Sequence, residues 1–396
     1  MSAINRLSVR QICFMLICYN AATKLLLYPA FMAAETGNAL IFPALFDLAL
    51  QTIVVWAVAF LSSRTDASFY DLLEGALGKA VAKGVYALLA LYFLFTAIVP
   101  LVEQKNFIHD AFYETILALG MFLPVFVFLF YAGLKPLRDG GAFADICLPV
   151  FVGSLAVIWV MTAAQGDYSH LLPVLKQPLG VLGKGVISSF YRFSESAFLL
   201  IFLGNFRYKR GDAARMTLSY ALGGLAVVAT MAMFYAVYGP LARTRTFAIV
   251  NSSLFFASIN YLGRIDLIAA YALDIVVLFA LALHVQAFTH CMGKVCGRTD
   301  VNYVFSAVAT LALLGAVIAV NNRYSPLQQA AAGWFFIPVA LFSYLLPVAA
   351  WLLPRKRRGV MHGENGRAPF ADGEGASGGK EVADKDARKK AEGGRT

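Results

Sequence analysis

The chain has 396 residues, of which 60% are apolar and only 14% charged, with a formal net charge of +10. A soluble domain carries about 25% charge, and a soluble core does not absorb repeated apolar runs of about 20 residues, so the composition excludes a soluble globular enzyme and points to an all-α polytopic membrane protein. Arg355 to Thr396 holds 11 Lys/Arg against 7 Asp/Glu, so +4 of the +10 sits in that tail; the basicity reads as membrane topology, not nucleic-acid binding.

In chain order, Met1 to Arg10 is polar. The first apolar run is long and lacks a small-residue cleavage pattern, so it is expected to stay as a membrane anchor rather than to leave as a signal peptide. Ten spans are expected, at 11–33, 40–61, 80–103, 112–131, 142–163, 186–206, 216–239, 261–289, 302–320 and 332–353, each long enough for a hydrocarbon core of about 30 Å. Residues 67–77 and 247–259 read as short amphipathic helices at the membrane surface.

The first span carries an anomaly, Tyr19-Asn20-Ala21-Ala22-Thr23-Lys24-Leu25-Leu26-Leu27-Tyr28-Pro29. An ammonium at mid-bilayer depth costs at least about 2.5–3.5 kcal/mol, so Lys24 must face protein, water or a counter-ion. The segment is expected to be a broken helix that lines a polar site, with its backbone amides exposed. Asp47 and Gln51 in span 2 are spaced i and i+4 and share a face. Glu103 and Gln104 end span 3, and Asp145 lies in span 5. Pro29, Pro100, Pro124, Pro149 and Pro338 are placed to kink or end helices.

Span 6 is the second anomaly: Ser188-Ser189-Phe190-Tyr191-Arg192-Phe193-Ser194-Glu195-Ser196 precedes the apolar Ala197–Phe206. Either Arg192 and Glu195 pair at i and i+3 near the membrane edge, or the helix unwinds here and faces the break in span 1. Spans 1 and 6 are the first members of two five-span halves, and inverted-repeat transporters place broken helices at corresponding positions of each half. In span 8, Asp274 is costly if ionised, and Lys24 is its best intramembrane partner. Interfacial packing is the favoured reading for His284, ahead of proton handling. Gly223-Gly224 suits close helix packing.

Cys13, Cys18, Cys147, Cys291 and Cys296 read as apolar or loop thiols; His290 beside Cys291 and Cys296 has no second ligand pair for a metal. No phosphate-binding glycine loop, His-Glu-x-x-His or nucleophile elbow is present, so no catalytic residue, cofactor or metal is assigned. Loops expected on the side of the N-terminus hold 13 Lys/Arg and the opposite loops 7, which places both termini in the cytoplasm and favours an even number of spans. Residues 1–354 form the transmembrane domain, and 355–396 a basic, disordered cytoplasmic tail. The Arg355–Arg358 cluster is suited to anionic membrane lipids.

Several stretches resemble the GerAB-type spore germination permeases of the amino acid–polyamine–organocation transporter superfamily. Leu7-Ser8-Val9-Arg10-Gln11-Ile12 is similar to the family's opening before helix 1. Ala22-Thr23-Lys24-Leu25-Leu26-Leu27-Tyr28-Pro29 resembles its Gly-Thr-Gly-Ile-Leu-x-x-Pro pattern, with Ala22 and Lys24 at the helix-breaking glycines. Gly78-Lys79-Ala80-Val81-Ala82-Lys83 resembles the start of helix 3. Tyr131-Ala132-Gly133-Leu134-Lys135-Pro136-Leu137-Arg138, continuing through Asp145 to Pro149, resembles the Gly-Leu-Glu-x-x-x-Arg loop and helix 5. Phe193-Ser194-Glu195 resembles the Gly-Tyr/Phe-Glu segment of helix 6.

The resemblance covers about residues 7–350. It implies a LeuT-type five-plus-five fold with helices 1 and 6 broken, in the bacterial cell membrane or the inner membrane of the spore. It implies a receptor subunit for a small, amino acid-like germinant, partnered by a larger membrane subunit and a lipoprotein. A proton-coupled amino acid permease is the alternative. The residues expected to bind the small molecule are Ala21, Ala22, Thr23 and Lys24, facing Tyr191, Phe193, Ser194 and Glu195, with exposed backbone amides meeting a ligand carboxylate and Glu195 meeting a ligand amine or Lys24. Lys24, Asp145, Glu195 and Asp274 are the candidates for ion or proton coupling.

Overall fold

Capping residues and prolines decide where the first helices start and stop. The computed structural model describes residues 7–112, 118–173, 177–206, 208–247, 265–298, 301–320 and 333–353. Helix α1 (Val9–Lys24) opens with a capping box: the Ser8 hydroxyl accepts from the Gln11 amide at 3.2 Å, and the Gln11 side chain accepts from the Ser8 amide at 3.1 Å. It ends one turn before Pro29. Proline has no N–H for the carbonyl four residues back, Leu25, and its ring crowds that carbonyl. Leu25, Leu26 and Leu27 form the break, and α2 (Tyr28–Thr36) restarts with Pro29 in its first turn. The two helices meet at a 55° bend.

Then come α3 (Ile41–Leu61), α4 (Phe69–Leu77), α5 (Lys79–Phe112), α6 (Ala118–Leu134) and α7 (Leu137–Gln165). Helix α4 is the short amphipathic helix expected near residues 67–77. Ser68 and Asp71 cap it reciprocally, and it buries Phe69, Tyr70, Leu72 and Leu73. The chain continues through α8 (Leu179–Ser189), a 3-10 turn at Phe190–Arg192, and α9 (Glu195–Phe202). Span 6 is thus interrupted, as span 1 is. Helices α10 (Asp212–Tyr238), α11 (Ile265–Cys296), α12 (Asn302–Val320) and α13 (Phe336–Ala350) complete the described elements. Residues Ala340–Leu345 of α13 form a π-helical turn.

Among the described residues, six helices are long and apolar enough to cross a membrane, and the bent α1/α2 pair makes a seventh; α6 and α13 hold shorter apolar helices. Helix α11 is the interior post. It packs against α5, α6, α7 and α1, and 83% of its apolar window is buried, against 28% for α12. Hydrocarbon is the solvent for the outer helices, so large apolar side chains such as Val160 and Leu311 can stay exposed. Helix α1 packs against α10, α7 and α11, which encloses its polar end.

Helix α10 meets α1 and α3 through Gly223 and Gly224. A Cβ at Gly223 would stand 3.1 Å from the Ile17 Cα, and one at Gly224 would stand 2.1 Å from Leu48 Cδ1. The pair therefore sets the close packing expected of it. The second surface helix expected at 247–259 and the tail 355–396 lie outside the described residues, apart from Phe247.

Candidate functional site

The two breaks lie back to back and are joined by buried charges. Lys24 is the last residue of α1, and its Nζ makes a hydrogen-bonded ion pair with Glu195 Oε1 at the start of α9. Both side chains are 1% exposed. The ammonium also lies 4.5 Å from the centroid of the Phe193 ring, a cation–π contact. The Tyr220 hydroxyl of α10 donates to the other Glu195 oxygen at 3.0 Å. The cost of burying the lysine is thus offset by a carboxylate, an aromatic face and a hydroxyl on the partner anion.

A second ion pair crosses the same gap. Arg192, in the 3-10 turn, reaches Glu103 of α5 through both terminal nitrogens, at 3.0 and 2.5 Å. This is the bidentate fork that guanidinium geometry favours. The same Nη1 donates to the Thr23 carbonyl at 3.1 Å. Arg192 therefore ties α8 to α5 and to the last turn of α1. The i, i+3 pairing of Arg192 with Glu195 does not form, because each side chain finds a partner on another helix. Asp274 likewise pairs with the Gln104 amide and not with Lys24.

Helix α9 starts inside protein, so its first amides need acceptors. Gln51 of α3 supplies one. With its carbonyl turned toward the break, Oε1 accepts from the Glu195 amide at 3.3 Å and the Ser196 amide at 3.0 Å, and Nε2 donates to the Tyr344 hydroxyl at 3.3 Å. The π turn of α13 adds side-chain and carbonyl contacts to the same break. The Ser343 hydroxyl donates to the Ser194 carbonyl at 3.1 Å and lies 2.7 Å from the Tyr92 hydroxyl, and the Ser343 carbonyl accepts from the Ser196 hydroxyl. A π turn shifts carbonyls off the ordinary i+4 ladder and makes one available for such a contact. On the other side of the break, Ser189 donates to Asp47 at 2.5 Å.

Tyr19, one turn before Thr23, closes the inner flank. Its hydroxyl lies 3.0 Å from His284 Nε2, and His284 Nδ1 lies 2.8 Å from the Ala280 carbonyl. A carbonyl only accepts, so Nδ1 carries a proton directed at Ala280. His284 is fully buried. Tyr19 borders two small cavities. One, of 20 Å³, is lined by Thr23, Thr96, Pro100, Tyr191, Arg192 and Ser194 among others. The second, also 20 Å³, lies toward the start of α1 and is lined by Ile12, Leu16, Glu195 and Phe198 among others. Each has room for about one water, so this conformation is closed to a larger ligand.

Of the residues expected at the site, Thr23, Lys24, Tyr191, Phe193, Ser194 and Glu195 come together here. Ala21 and Ala22 are buried in intact helix and line neither cavity; the Ala21 carbonyl accepts from the Leu25 amide at 3.0 Å. The interruption of α1 expected at 21–24 therefore lies at Leu25–Leu27, where Pro29 removes the donor to the Leu25 carbonyl. Asp145 lies at the other end of α1, beside Arg10 at 3.2 Å and Gln11 at 3.1 Å. Arg10 and Lys24 are 14 steps apart along the helix, about 21 Å. Glu103, Tyr220, Gln51 and Ser343 were not assigned to the site by sequence reasoning. Glu103 and Gln51 carried a signal, as a charge and an amide within apolar spans, but Tyr220 and Ser343 are ordinary span residues. Among the described residues, no group of three His, Cys, Asp or Glu side chains is placed to hold a metal.

Comparison with known proteins fits this architecture. A search of curated proteins finds no match to the chain. Among solved structures, a Na+-coupled sialic acid symporter in its substrate-bound outward-open state is similar at a TM-score of 0.57 and 13% identity, over 84% of this chain and 79% of that one. That likeness shows the fold, a LeuT-like transporter fold with its first and sixth spans broken. The family model described as spore germination protein, Spore_permease, matches residues 6–324. A multi-pass membrane protein with this fold and this match belongs to the GerAB-type spore germination permease family.

Proposed function

We propose that the chain is the ligand-sensing membrane subunit of a spore germinant receptor, holding a small, amino acid-like germinant between the last turn of α1 and the α8/α9 break. One observation carries this reading: two interrupted helices meet around buried charges of both signs, Lys24 and Arg192 against Glu195 and Glu103. Intramembrane charges are costly and mark functional sites, and a zwitterion is the ligand class that complements both signs. Thr23, Lys24, Tyr191, Phe193, Ser194 and Glu195 are the binding residues under this reading. Cavities of 20 Å³ mean that binding requires the breaks to part, which is the movement a receptor would transmit.

The setting is the inner membrane of the spore, with both termini cytoplasmic. The partners are a larger membrane subunit and a lipoprotein. A second reading, a proton-coupled amino acid permease, is favoured by the Lys24–Glu195 pair and by the likeness to an ion-coupled symporter. The decisive measurement is the melting temperature of the purified protein across a panel of amino acids and nucleosides. A rise with one class of amino acid is expected, and no rise with any member of the panel overturns the ligand-sensing reading. Concentrative amino acid uptake by this chain alone in proteoliposomes would establish the permease reading instead.

A further inference from the structure

The Arg192–Glu103 pair is built as a carboxylate receptor that is already filled. Arg192 lines the first of the two cavities beside Tyr19 together with Thr23, Thr96 and Ser194, and its two-pronged bond holds a carboxylate head group at 3.0 and 2.5 Å. The Glu103 head group is chemically the same as the carboxylate of a small organic acid. A guanidinium buried to 3% exposure needs an anion at all times, so an incoming carboxylate can replace Glu103 but nothing neutral can. Glu103 also follows Pro100, which borders the same cavity. Pro100 cannot donate to the Thr96 carbonyl, so the α5 ladder is weakest just before Glu103, and the segment bearing it has a built-in hinge.

We propose that Glu103 is an internal stand-in for the carboxylate of the germinant: on binding, the ligand carboxylate takes Arg192, and the released Glu103 takes the ligand ammonium. This rests on the ligand-sensing reading and specifies its ligand as a zwitterion. The exchange keeps the number of buried charges of each sign balanced, which a lone anion or a lone amine would not. It also gives the receptor a default state, in which Glu103 ties α5 to the α8/α9 break through Arg192.

The test is chemical rescue. In Glu103→Ala, Arg192 loses its anion, so the purified protein is expected to melt lower. Acetate should restore the melting temperature and acetamide should not. In Glu103→Ala/Arg192→Gln, acetate should do nothing. Glu103→Gln, the milder variant, should bind acetate at least about tenfold more tightly than wild type, a difference of about 1.4 kcal/mol. If both Glu103 variants fold and neither responds to acetate, the exchange is overturned. A wild type that responds to the amino acid panel alongside such silent variants would leave the ligand-sensing reading standing without the exchange. A wild type silent to the whole panel, with acetate rescuing Glu103→Ala, would establish the carboxylate site at Arg192 and remove the germinant reading. Preference for alaninamide or ethylamine over alanine in wild type would also overturn the exchange.

Discussion

Lys24 is the residue whose cost pointed to the site, and its partner decides what mutation will do. Removing one member of a buried ion pair strands the other, at about 3–5 kcal/mol, whereas replacing both with apolar side chains can be nearly neutral. Lys24→Met is therefore expected to lower the melting temperature sharply, and Lys24→Met/Glu195→Leu to recover much of the loss. Thermal unfolding of the purified variants checks this, and a double variant no more stable than the single one would remove the pair as the cause. Ligand response is a separate readout. Lys24→Ala should impair it far more than Arg64→Ala, because Arg64 stacks on Phe60 and Trp351 away from the breaks. The location of Lys24 and Glu195 was legible because a charge in an apolar run is costly wherever it pairs. The pairing was legible only in part. Lys24 with Glu195 was one match the sequence left open, beside Arg192 with Glu195 and Lys24 with Asp274; the packing of α1, α5 and the α8/α9 break selects Glu195 for Lys24 and brings Glu103, which no spacing suggested, to Arg192.

At the scale of elements, the α8/α9 break depends on neighbours that satisfy its backbone. Gln51 accepts from the first two amides of α9, so Gln51→Leu should cost about 1–3 kcal/mol, while Gln51→Glu should retain the acceptor and lose less. Melting temperatures of the two variants separate loss of the acceptor from loss of shape. Where α9 ends, Gly204 has φ +79° and a Cβ there would stand 2.8 Å from the Ser68 amide nitrogen. Gly204→Ala should therefore destabilise by more than the roughly 1–3 kcal/mol of the backbone conformation alone, seen as poor yield of folded protein and a lower melting temperature. The break in α1 shows what the sequence could and could not locate. A break was legible from the polar cluster and Pro29, but its place was read one turn too early, over Ala21–Lys24. The hydrogen bond that proline deletes belongs to the carbonyl four residues earlier, and this puts the break at Leu25–Leu27.

For the whole molecule, the topology predicts which side of the membrane each loop meets. Cys296 is exposed at the end of α11, while Cys13, Cys18, Cys147 and Cys291 are buried. Under the proposed orientation, with both termini cytoplasmic, a membrane-impermeant thiol reagent should leave wild-type protein unlabelled in intact cells and label Cys296 after permeabilisation. Asp167→Cys, in the turn between α7 and α8, should react from outside intact cells. Labelling of wild type before permeabilisation would reverse the orientation.

The sequence by itself determined that this is a helical membrane protein with two interrupted spans. Those features rest on local composition: a run of apolar residues must satisfy its own backbone, and a charge or proline within it breaks that pattern wherever the chain folds. The tertiary structure alone decided which of the possible charge pairs form, that the π turn of α13 supplies Ser343 to the break, and that Glu103 fills the fork of Arg192. Such contacts join residues 89 to 171 positions apart. Partner choice at that separation depends on which helix faces happen to pack together, and no spacing rule within one helix carries that information.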